Sequence, residues 1–370
     1  MALRCADQCE APADSLLTNP PGDHMLKPSS LPSAGWILLL LVLTACATST
    51  SRRAPAEPGG PSDGLTSAQL NRFQRGKAVF ERVFTPATGL GPLFNNVSCV
   101  ACHDVPATGG SGFESDDIEI HASRFDSTAT PACNELAADG GPVFRLNATS
   151  GSPPRIPPSA DLGIGHRTTS PLFGLGLIDL VPDAAILARQ GTLGGRAHRL
   201  PDGRIGRFGR KAINATLQEF SLGAFVTEMG IEIPTELSAA DGQLTVDFVR
   251  FLALPSRRED ATGARLFARV GCDGCHVPRL ADQPLYTDLL LHDLGPNFQD
   301  MCRGQARPTE FRTAPLIGLR FFKRFLHDGR AANVEEAIRL HGGQAEDVVR
   351  RFERLSQGER QRLIHFVEGL

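Results

Sequence analysis

Oxidisable aromatic side chains are nearly missing from this chain. Its 370 residues include one Trp and one Tyr beside 21 Phe. The Trp, Trp36, lies in an N-terminal apolar run, so Tyr286 alone could take part in tyrosyl chemistry. A structural hydroxyl is the simpler role for it. No run of basic residues occurs and the formal charge is −3, which argues against a nucleic-acid partner. No apolar stretch approaches the ~20 residues that a spanning helix needs. Long period-two alternation is missing too, so the pattern reads as mainly α.

The chain does have cysteine, glycine and proline. Gly (38) and Pro (27) are together above ordinary usage and imply long irregular segments. Two of the nine cysteines fall in Cys99-Val100-Ala101-Cys102-His103 and two in Cys272-Asp273-Gly274-Cys275-His276. Each C-x-x-C-H run can bind a haem through two thioethers and present the adjacent His to its iron. Cys99, Cys102, Cys272 and Cys275 are therefore expected to carry two covalent haem c groups, with His103 and His276 as proximal ligands. Of the other five, Cys5 and Cys9 lie ahead of the N-terminal apolar run and Cys46 ends it; Cys133 and Cys302 then remain as an even pair, read at even weight as a disulfide or as two buried thiols.

The apolar run Trp36 to Val42 is too short to cross a bilayer and fits a signal-peptide core. It ends in Leu43-Thr44-Ala45-Cys46, which resembles a bacterial lipobox and makes Cys46 the expected lipidation site. More than one acyl chain gives stable anchoring. This predicts a periplasm-facing lipoprotein of the cell envelope, most simply in the outer membrane. Met25-Leu26-Lys27 would make a more typical start than Met1. Residues 1–46 are then the signal segment and 47–65 a Pro/Gly/Ser-rich tether.

Helical spacing appears from Thr66 to Phe84, with Ser67 as N-cap, and again over Ala212–Met229, Leu244–Leu252 and Ala261–Val270. Residues 104–165 read as loop with a short strand at Ile118–Ile120. Pro255 stops a closing helix. The expected architecture is mainly α: two cytochrome c-like haem domains, residues 66–255 and 256–370, with long irregular loops. A capping box at Ser356–Glu359 opens the last helix, whose face should pack on Leu266 and Phe267.

Several longer segments carry a family resemblance. They are Ser170–Asp183, Gly206–Lys211, Gly223–Gly230, Asp288–Pro296, Phe311–Leu316 and Leu326–Arg330, in that order. Over residues 66–370 the chain resembles the di-haem oxidoreductases, also described as thiol oxidoreductase-like, which are related to bacterial di-haem cytochrome c peroxidases. The resemblance implies an asymmetric haem pair. The C-terminal haem takes electrons from a small redox protein or a quinol-linked donor, and the N-terminal haem meets peroxide. It also implies that Glu228, in Thr227-Glu228-Met229-Gly230, is the distal acid–base residue. Family spacing from His327 makes His341 the second ligand of the C-terminal haem. The related peroxidases usually place Met there, so a bis-histidine haem of lower potential is expected. His121 lies near where resting peroxidases carry a removable His ligand; a His in a surface strand is an equal reading. A Ca²⁺ between the domains is a further feature of the related peroxidases. Where they place an inter-haem Trp, this chain has Phe208-Gly209-Arg210. Asp179 is a secondary acid–base candidate, and Arg210 a candidate propionate partner. His292 and His327 read as loop-orienting or propionate-contacting. The other class of function is a non-catalytic, lipid-anchored electron carrier with both haems six-coordinate.

Overall fold

A capping box opens the first helix, Ser67–Phe80. Thr66 accepts from the Gln69 backbone and Gln69 returns a bond to the Thr66 N–H. The cap is Thr66 rather than the expected Ser67, because its extended backbone aims Oγ1 into the first turn. The computed structural model describes residues 57–370 apart from 113, 115, 116 and 160. The signal segment, Cys46 and residues 47–56 lie outside the described residues. Residues 57–65, expected as tether, are partly docked. Ser62 donates its N–H to Phe251 O at 2.8 Å, and Gly60 O accepts from Ala253 at 3.0 Å. Among the described residues no helix is long and apolar enough to cross a membrane.

The haem-run segments are built alike, each with an early helix crossed by a later one at a glycine. The first helix meets Ala239–Phe251 where a Cβ on Gly76 would lie 2.0 Å from Leu244 O. Ala261–Val270 meets the terminal helix Gln357–Glu368 where a Cβ on Gly263 would lie 2.3 Å from Phe366 Cβ. Beside that crossing Phe267 packs edge-on against Phe366 at 5.6 Å, as the apolar face of the last helix implies. Gly263→Val should therefore destabilise the protein by about 1–3 kcal/mol or more through overpacking. Gly358→Ala, on the terminal helix with open space around it, should cost nothing. Denaturant midpoints compare the two; equal midpoints would refute the close crossing.

Apolar packing runs across Pro255. Residues 57–370 belong to one compact unit. Its largest apolar cluster joins Phe73, Phe80, Phe208 and Phe248 to Leu285, Leu289, Leu290 and Ile317. Smaller clusters lie under each helix crossing, around Phe225, Met229 and Leu244 and around Leu266, Phe352 and Leu363.

Strand content exceeds expectation. Ile118–Phe125 is a full strand, paired antiparallel with Leu162–Thr168 (His121 opposite Gly165) and with Cys133–Asn134. Its centre, His121 to Ser123, is buried on both faces, which erases the alternation a half-exposed strand would show. A Cys133–Cys302 disulfide, Cα–Cα 5.8 Å, ties this sheet to the 296–310 loop. Buried charges reinforce the tie. Asp300 accepts from Arg167 at 2.8 Å and lies 3.9 Å from Lys211 Nζ, which donates to the carbonyls of Arg307, Pro308 and Glu310. Burial alone would raise the Asp300 carboxyl; Arg167 and Lys211 outweigh it and bring it to about 2.

Candidate functional site

Each C-x-x-C-H run closes a tight turn. His103 N–H donates to Cys99 O at 3.1 Å and His276 N–H to Cys272 O at 2.9 Å. Gly271, in left-handed backbone at φ 95°, ends the helix Ala261–Val270 and starts the second turn. All four cysteines of the two runs are unbridged and half-buried. Burial pushes the thiols of Cys99 and Cys272 up to about 12, and raises Cys102 as well. A redox C-x-x-C dithiol needs the opposite shift, because the thiolate is its nucleophile. The shifts at Cys99, Cys102 and Cys272 run against dithiol exchange.

The histidines complete the fit to haem. His103 donates through Nδ1 to Gly110 O at 2.9 Å, and His276 through Nδ1 to Tyr286 O at 3.1 Å. Each hydrogen bond fixes the tautomer and leaves Nε2 with its lone pair, the arrangement of a proximal iron ligand. Tyr286 has φ 53°, and its carbonyl orients His276.

His341 follows the helix Val334–Leu340 and donates through Nδ1 to Ala337 O at 2.7 Å, again leaving Nε2. Burial, then the nearby His341 ring, push His276 down to about 4. Two buried imidazoles with free Nε2 atoms, close enough to affect each other, would both be able to hold a haem iron. Phe298 packs 5.8 Å from the His341 ring and 5.7 Å from His327, and Phe311 lies 4.6 Å from His327. His327 is buried with Nδ1 unpartnered.

The first run has carboxylates instead. Glu228 stands in the last turn of Leu217–Met229, near enough to Cys99 and Cys102 to raise both thiols. Asn95 Nδ2 donates to its Oε2 at 2.6 Å and Thr227 Oγ1 to its Oε1 at 3.0 Å. Burial first, then the charge of Glu119, raise Glu228 to about 8. Glu119 moves the other way. Burial would raise it, but hydrogen bonding to His121 and the charges of His121, Arg167 and Arg210 bring it below its ordinary value. The two carboxyls are thus shifted in opposite directions, Glu228 up and Glu119 down.

His121 shares the face of its strand with Glu119, two residues away, and bonds Glu119 Oε2 through Nε2 at 2.7 Å. Its Nδ1 is buried without a partner. The sequence pointed to His121 but missed Glu119 and Asn95. The available signal for Glu119 was the i, i+2 spacing on a strand. For Asn95, whose contact with Glu228 spans 133 residues, there was none.

Other candidates have structural partners. Asp179 caps the helix Leu217–Met229 by accepting from Leu217 N–H at 2.9 Å and pairs with Arg250 at 2.8 Å. Both contacts serve the packing of these helices. Arg210 donates to Thr168 O at 2.6 Å and Ser170 Oγ at 3.0 Å. Phe208 is buried and stacks on Phe220 at 5.9 Å.

A family model described as "Di-haem oxidoreductase, putative peroxidase" matches residues 235–370. No curated protein matches the chain. Among solved structures the chain is similar to the diheme peroxidase BthA from Burkholderia thailandensis, at 14% identity and a TM-score of 0.45, covering 86% of this chain and 89% of that one. It is also similar to the hydrazine synthase of Kuenenia stuttgartiensis, at 14% identity and a TM-score of 0.42, covering 94% and 100%. A third is a MauG-like protein associated with microbial copper homeostasis, at 16% identity and a TM-score of 0.40, covering 87% and 94%.

Proposed function

We propose, from the premise that residues 235–370 match the di-haem oxidoreductase family, that this chain is a di-haem c-type cytochrome oxidoreductase with peroxidase-type chemistry at its N-terminal haem. Cys99 and Cys102 would hold the first haem, with His103 as its proximal ligand. Cys272 and Cys275 would hold the second between His276 and His341. The haems supply one-electron redox chemistry, and reduction of one hydrogen peroxide to two waters consumes two electrons and two protons.

The observation that carries this reading is the asymmetry between the sites. A second imidazole with a free Nε2, His341, lies near enough to His276 to lower its proton affinity, whereas a carboxyl held protonated near neutral pH lies by the first run. Glu228 can give up its proton at Oε1 or Oε2 while Asn95 and Thr227 fix its orientation. Glu119 stays anionic, holds His121 by hydrogen bond, and disfavours loss of the Glu228 proton. A small redox protein or quinol-linked donor would supply the electrons. The lipobox at Cys46 would keep the protein at the cell envelope facing the periplasm.

Optical and resonance Raman spectra of the exported holoprotein, with peroxide turnover against a reduced donor, test the reading. Two covalent haems, one low-spin and one high-spin or exchangeable, with peroxide-dependent donor oxidation, are expected. Two low-spin haems inert to peroxide would overturn it in favour of an electron carrier.

A further inference from the structure

The run Asp288–Pro296 has no role in the reading above, yet it brings a buried acid–imidazole pair against the second haem run. His292 is 3% exposed and Asp288 0%. Asp288 Oδ2 faces His292 Nε2 at 3.0 Å, and its Oδ1 accepts from Leu290 N–H at 3.0 Å. On the other side of the ring, His292 Nδ1 lies 3.0 Å from Gln344 Oε1 and 3.7 Å from Cys275 Sγ. Gln344 cannot turn its amide donor to the ring. Its Oε1 also accepts from Asp293 N–H at 3.2 Å, and its Nε2 donates to Gly194 O at 3.2 Å.

The proton count follows. Once Cys275 carries a thioether it has no S–H, so Nδ1 faces acceptors only. Nε2 faces a carboxylate. A ring with an acceptor at each nitrogen satisfies both only when both are protonated. The backbone supports the placement. Leu289 holds φ 60°, a left-handed value that costs a leucine energy and that surrounding packing must enforce. A Cβ on Gly195 would lie 2.5 Å from His292 Cε1, so no larger residue fits against the ring.

Cys275, Asp288 and His292 also lie close enough together to suggest a metal site. The hydrogen bonds decide against it, since neither His292 nitrogen has a free lone pair and the thioether is a poor donor.

We propose that His292 is a fixed imidazolium that raises the reduction potential of the second haem, offsetting part of the lowering that two axial histidines impose. The inference rests on the reading that Cys275 carries this haem. Reduction adds an electron next to a buried positive charge, which favours the reduced state. Asp288 opposes the effect less strongly, because the His292 ring lies between it and the sulfur.

Potentiometric titration of the exported holoprotein tests the proposal. His292→Gln and His292→Phe should both lower the midpoint of the second haem by at least ~59 mV, a tenfold change in its one-electron equilibrium constant. The midpoint of the first haem should not move. Coincident or higher second-haem midpoints in His292→Gln, with two covalent haems retained, would overturn this proposal alone. A fall in His292→Phe only would also overturn it, by assigning the effect to packing. Wild-type protein lacking the second covalent haem would overturn the underlying reading and this proposal together.

Discussion

Glu228→Gln should cut peroxide turnover by about 10²–10⁴-fold while leaving both haems attached. The amide keeps the size and the hydrogen-bonding reach of the carboxyl, so Asn95 and Thr227 retain a partner. What disappears is a transferable proton. The pH profile makes the prediction specific. Glu228 titrates at about 8, against an ordinary value of 4.5, because burial and the Glu119 charge both disfavour its anion. Turnover that needs the acid form should hold through neutral pH and fall as pH rises through about 8. In Glu228→Gln that alkaline limb should vanish along with most of the activity. Glu119→Gln should move the limb to lower pH, since it removes one of the two causes. The stability sign is also fixed. The folded state binds this proton more tightly than the unfolded chain, so native stability contributed by Glu228 is present below about 4.5 and is lost as pH rises to about 8. Glu228→Gln should remove that loss. Steady-state kinetics between pH 5 and 10, with denaturant midpoints at the two ends, measure both effects. An unchanged profile in Glu228→Gln would remove Glu228 from the chemistry.

The parts of this site that were legible in the sequence are those whose chemistry is local. Each C-x-x-C-H run is one turn of chain, and its two thiols and imidazole are placed by consecutive residues. The helix Ala261–Val270 was readable to both ends, because Asp260 caps it and Gly271 stops it. The helix expected from Ala212 begins only at Leu217. Ala212 sits at φ 52° in a reversal where Phe208 bridges Asn214, and helical spacing of apolar residues does not reveal such a turn. Glu228 and His292 sit in family motifs, yet what surrounds each of them is remote. Asn95 reaches Glu228 across 133 positions, Glu119 acts on it through space, and Gln344 reaches His292 across 52. Contacts of that range depend on how the segments pack, and a linear pattern does not encode them.

His341→Met should raise the potential of the second haem on the order of 0.1 V or more, within the ~0.8 V span that axial ligands command. Met and His together favour the reduced haem more than two imidazoles do. The site can accept the exchange. His341 stands just beyond the helix Val334–Leu340, and Gly342 and Gly343 follow it. Its ring donates to Ala337 O, a carbonyl at the end of a helix, and losing that bond should cost about 1 kcal/mol. Phe298, 5.8 Å from the ring, provides an apolar wall on which a thioether packs well. Spectroscopy should replace the bis-imidazole signature with that of Met–His ligation. His341→Gly should instead open the position and make this haem high-spin. The functional consequence has a definite sign. A second haem that is easier to reduce holds its electron more tightly, so transfer to the first haem should slow even as donors load the second more readily. Stopped-flow reduction would then show faster entry and slower peroxide-driven re-oxidation. If the second haem of His341→Gly stayed low-spin with its potential unmoved, His341 would be no ligand, and its bond to Ala337 would reduce to a helix-end contact.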